Sequence, residues 1–100
     1  MTKKLKPEVR RDEILNVAIE LAAVHGYLNV TRKMIADKLG VVPGTIQYHF
    51  GTVGALRNDT MRRAVKVGNA EVVAQGLINK NPHALKAGPE LKAACAQLLV

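Results

Sequence analysis

Apolar residues recur every three or four positions along most of the chain, which is the spacing of one helix face. The clearest case predicts a first helix over residues 10–25, with the inward stripe Ile14, Leu15, Ala18, Leu21 and Ala22. Asp12 and Glu13 lie in its first turn, where negative charge suits the helix dipole. Gly26 follows as a natural helix end. The pattern therefore predicts a helical protein.

Two short helices follow, joined by a turn that contains glycine. The first is predicted over residues 31–39 and has Thr31 as its N-cap. The second is predicted over 43–50 and begins at Pro43, because the N–H that proline lacks has no partner in a first helical turn anyway. Gly40 can adopt the left-handed conformation that the turn needs. This arrangement is a candidate helix-turn-helix.

The helix over 43–50 has an inward and an outward face. Ile46 and Phe50, four residues apart, point inward. Counting 100° per residue, the opposite face and its flanks carry Gly44, Thr45, Tyr48, Gln47 and His49. In a helix-turn-helix, the N-terminal residues of the second helix contact base edges, and small residues there allow close approach. We expect His49 to serve the helix end more than base contacts.

The rest of the chain predicts one long helix and one short one. Thr52 is the N-cap of a helix expected from 53 to about 78, although Gly68 and Gly76 each weaken it by about 1 kcal/mol relative to Ala. That weakness allows a kink or an early end. A last helix over 90–99 carries one apolar face, formed by Leu91, Cys95, Leu98 and Leu99.

The composition narrows the function. The chain has 15 Lys and Arg against 8 Asp and Glu, for a net charge of +7, and residues 1–66 hold 12 of these cations. A small basic domain favours an acidic partner, either nucleic acid or an anionic membrane surface. The membrane interpretation is weaker because residues 57–73, which approach a basic amphipathic helix, lack Phe and Trp.

Other classes of protein are excluded by what the sequence lacks. Cys95 is the single cysteine, so no internal disulfide forms and a reducing cytoplasm is the expected compartment. No Cys/His spacing predicts a metal site, and no apolar stretch of about 18 residues predicts a membrane span. No phosphate-binding Gly-Lys-Ser/Thr motif or paired carboxylates are present, so we expect neither an enzyme nor a cofactor.

The whole stretch from 10 to about 56 is similar to the DNA-binding domain of the tetracycline-repressor (TetR) family. The resemblance is carried in the helix-turn-helix by Thr31, Ile35, Ala36, Leu39, Gly40, Val41, Gly44, Thr45, Ile46, His49 and Phe50, followed by Leu56. In the first helix it is carried by Ile14, Leu15, Ala18, Leu21, Ala22, Gly26 and Tyr27. The sequence departs from the family at Val42, Gln47 and Val53, where a polar residue, Tyr and Lys are common.

The resemblance implies a three-helix helix-turn-helix DNA-binding head with a fourth helix leading out of it. Together with the apolar pattern, it predicts an all-α fold: this head, then a long connecting helix and a short C-terminal helix. It implies a homodimer that binds a palindromic operator in double-stranded DNA. The predicted division is a basic arm over 1–9, a DNA-binding domain over 10–52 and a helical dimerisation segment over 53–100. The candidate DNA contacts are Thr31, Arg32, Lys33, Pro43, Gly44, Thr45, Gln47, Tyr48, His49 and Thr52, with Lys3, Lys4 and Lys6 in the arm.

The dimer prediction rests on the apolar stripes of the C-terminal half. Two helices alone do not cover both stripes, so a second subunit is expected to do so. The predicted interface is Val72, Val73, Leu91, Cys95, Leu98 and Leu99. The rival arrangement is a monomer whose last helix folds back on the first. The same two helices are too few to wall a pocket, so we expect no inducer pocket within residues 1–100.

The sequence thus predicts a sequence-specific transcriptional regulator, and a repressor in particular. The alternative is a helical protein-interaction module with a weakened DNA-binding head. Gln47 and Val53, which replace common phosphate contacts, motivate that alternative.

Overall fold

The structure is a computed structural model that describes residues 6–99, and over this range its regular elements are all α-helices. They are α1 (Pro7–His25), α2 (Arg32–Leu39), α3 (Pro43–Phe50), α4 (Val53–Val67), α5 (Ala70–Ile78), α6 (Pro82–Leu85) and α7 (Pro89–Leu98). The predicted all-α fold class is confirmed. The predictions for Lys3 and Lys4 lie outside the described residues.

The first four helices, α1–α4, pack together as the head, one helix more than the predicted three-helix head, and local signals set their boundaries. Thr31 caps α2 by accepting a hydrogen bond from the N–H of Met34 (3.2 Å). Gly40 ends α2 with φ at +72°, a conformation that glycine adopts without steric strain. Pro43 then starts α3. The helices enclose an aliphatic centre that includes the fully buried side chains of Ile14, Ile35, Ile46 and Leu56.

The long connecting helix expected over 53–78 is two helices. Gly68 adopts φ +72° and ends α4, and the next residue, Asn69, accepts a hydrogen bond from the N–H of Val72 (3.1 Å) to cap α5. A left-handed glycine followed by an N-cap asparagine stops one helix and starts another. The continuous helix was therefore wrong, and the early end that Gly68 allowed is what the structure has.

The break at Gly68 lets α5 pack against α4, α6 and α7. Gly76 makes this approach close: a Cβ atom there would lie 2.6 Å from Cβ of Ala84 in α6 and 2.7 Å from Sδ of Met61 in α4. Only a glycine fits at that separation without a shift of its neighbours. The α5 helix is consequently enclosed on several sides by the same chain.

This enclosure corrects half of the predicted dimer interface. Val72, Val73 and Cys95 are fully buried within one chain, so they are not available to a partner in this structure. The two apolar stripes were expected to be too extensive to cover each other, but α5 and α7 do pack together. Leu91 is partly buried against the same core. Leu98 and Leu99 remain about half exposed.

Candidate nucleic-acid interface

The α3 helix presents a continuous exposed face beside a buried one. Ile46 and Phe50 are buried, as the helical spacing predicted. Tyr48 is 81% exposed, and Gln47 and Gly44 are also exposed. Thr45 and His49 lie half-buried on the flanks of this face. The hydroxyl of Tyr48 and the amide of Gln47 are therefore exposed to solvent on a helix that Ile46 and Phe50 anchor.

The start of α3 is open. Nothing lies within 4 Å of the position that a Cβ atom of Gly44 would occupy. Its N-cap residue, Val42, is exposed and makes no side-chain hydrogen bond to the first turn. Pro43 has no N–H, and the N–H of Thr45 donates to the carbonyl oxygen of Val42 (3.0 Å). The N–H of Gly44 is therefore the group of this turn that can bind an anion that approaches closely. Pro43 lies in this same exposed turn.

Arg11 of α1 holds the other end of α3, a role that the sequence analysis missed. Its Nη1 donates a hydrogen bond to the carbonyl oxygen of His49 (3.0 Å), and its guanidinium lies 4.3 Å from the ring centroid of Phe50. Its Nη2 donates to Asp59 in α4 (2.8 Å). Arg11 therefore fixes α3 against two other helices. Its spacing from Ile14 and Leu15, three and four residues away, was the signal that it lies on the inward stripe.

The aromatic side chains at the end of α3 also support one another. The rings of Tyr48 and His49 meet edge to face, with centroids 5.1 Å apart. Such contacts restrict the orientation of an exposed ring. The Tyr48 ring is therefore partly fixed before any ligand arrives.

The predicted basic contacts in α2 already have partners within the chain. Arg32 donates a hydrogen bond to the carbonyl oxygen of Gly51 (3.1 Å), in the turn between α3 and α4. Lys33 forms an exposed ion pair with Asp37 (2.8 Å). The hydrogen bond to Asp37, and then its charge, raise the pKa of Lys33, so the side chain stays protonated at neutral pH. Arg32 positions the turn, while Lys33 can exchange its carboxylate for a phosphate at the surface.

Two threonines mark helix starts on either side of α3. Thr31 caps α2, and Thr52 caps α4 by accepting a hydrogen bond from the N–H of Ala55 (3.0 Å). Both residues are exposed. Helix N-termini carry a partial positive charge and suit phosphate groups. Lys6, also exposed, adds a cation at the start of α1.

Metal sites and membrane-spanning helices are both absent from residues 6–99. No group of three or more His, Cys, Asp and Glu side chains in this part of the chain could hold a metal ion. None of the helices there is long and apolar enough to cross a membrane.

The comparisons with known proteins bear on the head. The family model described as "Bacterial regulatory proteins, tetR family" matches residues 14–58. A search of curated proteins and a search of solved structures each gave no match. The matched residues run from the first buried residue of α1 through the helix-turn-helix to the first turns of α4. The chain therefore carries a DNA-binding domain of the TetR family of bacterial regulatory proteins.

Proposed function

We propose that this protein is a sequence-specific transcriptional repressor that binds a palindromic operator as a homodimer. The observation that carries the proposal is the outward face of α3, where Gly44, Gln47 and Tyr48 are exposed on a helix anchored by Ile46 and Phe50. In a helix-turn-helix protein this face enters the major groove. Occupancy of an operator would then exclude other proteins from it, and no catalysis is involved.

In the proposed complex, Thr45 and Tyr48 contact base edges, and Gly44 lets the backbone approach the DNA. The helix starts at Thr31 and Thr52, on either side of α3, bind phosphates through backbone N–H groups. Lys33 and the basic arm with Lys3, Lys4 and Lys6 add further phosphate contacts. Gln47, at the edge of the same face, can donate to a phosphate or a base. His49 serves mainly to end α3, since its carbonyl oxygen accepts from Arg11.

The proposed dimer contact is now smaller than the sequence predicted. Ile78, Leu98 and Leu99 are 64%, 53% and 51% exposed, and they line one open groove of about 320 Å³, whose other lining residues are Ala23, Ala74, Glu71 and Gln75. Exposed apolar side chains gathered in one place are typical of an interface. A second copy of the chain on this surface would place two α3 helices on successive major grooves, which are about 34–36 Å apart.

Two substitutions in α3 test the base contacts. Tyr48→Ala and Thr45→Ala should each weaken binding to the operator by about 1–3 kcal/mol, while binding to random DNA stays nearly unchanged. Leu85→Ala, in the exposed part of α6, is the control. Binding is measured by fluorescence anisotropy and folding by circular dichroism. Equal losses on operator and random DNA would show that these side chains do not discriminate sequence.

Leu98→Asp tests the dimer contact. A charge at the centre of an apolar interface should shift the protein from dimer to monomer in sedimentation equilibrium at micromolar concentration. Leu85→Asp introduces the same charge at an exposed leucine outside the groove and should leave the dimer intact. A wild-type protein that sediments as a 10.8 kDa monomer would contradict the proposed dimer.

A further inference from the structure

An open groove of about 390 Å³ lies between α1 and α4, and none of its lining residues belongs to α3. Its lining is strongly basic and consists of Arg11, Leu15, Asp59, Arg62, Arg63 and Lys66. Four of these six residues are cations. The volume is within the range of sites that bind small molecules, about 300–1,000 Å³.

The carboxylates around the groove offset only part of this charge. Asp59 pairs with Arg11 at 2.8 Å and with Arg62 at 3.5 Å, and Asp12 pairs with Arg63. Lys66 forms no ion pair with the residues that the structure describes. Four cations against two carboxylates leave an excess of two positive charges. A guanidinium group can donate two parallel hydrogen bonds to two oxygens of one phosphate or carboxylate, so this excess of positive charge suits a polyanion.

The position of the groove along α4 separates it from the proposed operator contact. The helix rises about 1.5 Å per residue, so Lys66 lies about 20 Å from the start of α4 at Thr52. The same rise places Arg62 about 15 Å from that start. A phosphate bound at Thr52 is therefore beyond the reach of Lys66, so this end of the groove is free for a different anion.

We propose that the groove between α1 and α4 binds a small polyanion that carries phosphate groups. Arg62, Arg63 and Lys66 supply the positive charge from α4, and Arg11 supplies it from α1. The site is an open groove at the surface, whereas the inducer pocket considered from the sequence would be enclosed by helices. Because Arg11 also donates to the carbonyl oxygen of His49, the bound anion contacts the residue that holds the end of α3.

Inorganic pyrophosphate is the probe, titrated by isothermal calorimetry at an ionic strength held constant with sodium chloride. The wild-type chain should bind one equivalent saturably. The double variant Arg62→Gln/Lys66→Gln should bind at least tenfold more weakly. Both side chains are exposed, so their replacement leaves the core intact, as circular dichroism will verify. The control Lys86→Gln/Lys92→Gln removes the same charge from exposed positions outside the groove and should bind within twofold of wild type.

Two results would overturn the proposal. One is the absence of saturable binding, or an equal loss in both double variants, which would show attraction to net charge alone. The other is a loss of DNA affinity, without pyrophosphate, that is larger in Arg62→Gln/Lys66→Gln than in the control. That result would place the groove in the DNA interface. Failure of pyrophosphate binding leaves the proposed DNA binding untouched, because the two are measured separately.

Discussion

Helix boundaries have local causes in both the head and the C-terminal segment α5–α7, but the C-terminal segment depends in addition on close packing. In the head, nearly every helix boundary has a local cause, such as the cap at Thr31, the left-handed Gly40 and the proline at 43. In the C-terminal segment, α5 is fixed by close packing against four other helices, α1, α4, α6 and α7, with Gly76 at the tightest point. Caps and turns can be predicted from the sequence, whereas close packing between residues that are distant in the chain cannot.

The largest expected effect is on the free energy of unfolding, and it comes from the close packing of α5 around Gly76. Gly76→Ala adds a methyl group where Ala84 and Met61 already lie within 2.7 Å. The overpacking should lower the free energy of unfolding by about 1–3 kcal/mol, measured by urea denaturation. Gly54→Ala is the matched control, because its added methyl group would make only an ordinary contact, 3.8 Å from Oγ1 of Thr52. Equal stability of the two variants would mean that α5 does not pack as tightly as described.

The second prediction is that the head and the C-terminal segment α5–α7 unfold together. Cys95 is fully buried, its thiol donates a hydrogen bond to the carbonyl oxygen of Ala70 (3.4 Å), and it belongs to the same apolar core as the head. Native protein should therefore react with a thiol reagent at least tenfold more slowly than urea-unfolded protein. Labelling and the helical signal should change at one urea concentration. Labelling at a concentration where the helical signal is still native would show that the C-terminal segment opens by itself.

The same thiol gives a pH dependence. Burial raises the pKa of Cys95 above its ordinary value of 9.0, because the thiolate is disfavoured in the folded core. The contribution of the buried Cys95 thiol to the free energy of unfolding is therefore complete below pH 9.0, the ordinary pKa. It is lost as the pH rises through the raised pKa of the folded protein. Cys95→Ala should remove this alkaline decline in urea denaturation. A decline that is identical in the variant would assign it to other groups.

The smallest expected effect on stability is that of Gly44→Ala, which should change stability and operator affinity in opposite directions. Gly44→Ala places a methyl group in open space on a helix, so the free energy of unfolding should rise by about 0.5–1 kcal/mol at most. The same methyl group stands where we propose that DNA approaches, so operator affinity should fall. Gly88→Ala, also in open space but at the start of α7, should leave that affinity unchanged. A more stable variant with full operator affinity would place DNA elsewhere.

Much of the head could be predicted because its signals are local. The inward stripe of α1, the cap at Thr31 and the turn at Gly40 all lie where the sequence put them. The contacts that join the head to other helices could not be predicted in this way. Gln75 of α5, for example, accepts from the N–H of Tyr27 (2.7 Å) and donates to the carbonyl oxygen of Ala22 (2.9 Å). No local pattern marks a glutamine for that role.

The C-terminal segment was misjudged for a related reason. Gly68 and Asn69 do carry a stop and a start, but the apolar residues on both sides continue the helical spacing and outweighed them. Once the helix is broken, the stripe that includes Val72 and Val73 is covered by the chain itself. The roles of the predicted DNA contacts depend on a second molecule and not on contacts within the chain, so they stay predictions.

The central claim is that α3 recognises a DNA sequence, and selection from a library of random duplexes tests it most directly. The account predicts enrichment of a palindrome whose half-sites are centred about 10 base pairs apart. It also predicts that the enriched duplex keeps its advantage over a scrambled one as salt is raised, while both affinities fall. Enrichment of no sequence, with equal binding to selected and scrambled duplexes, would contradict the claim and favour a helical protein-interaction module.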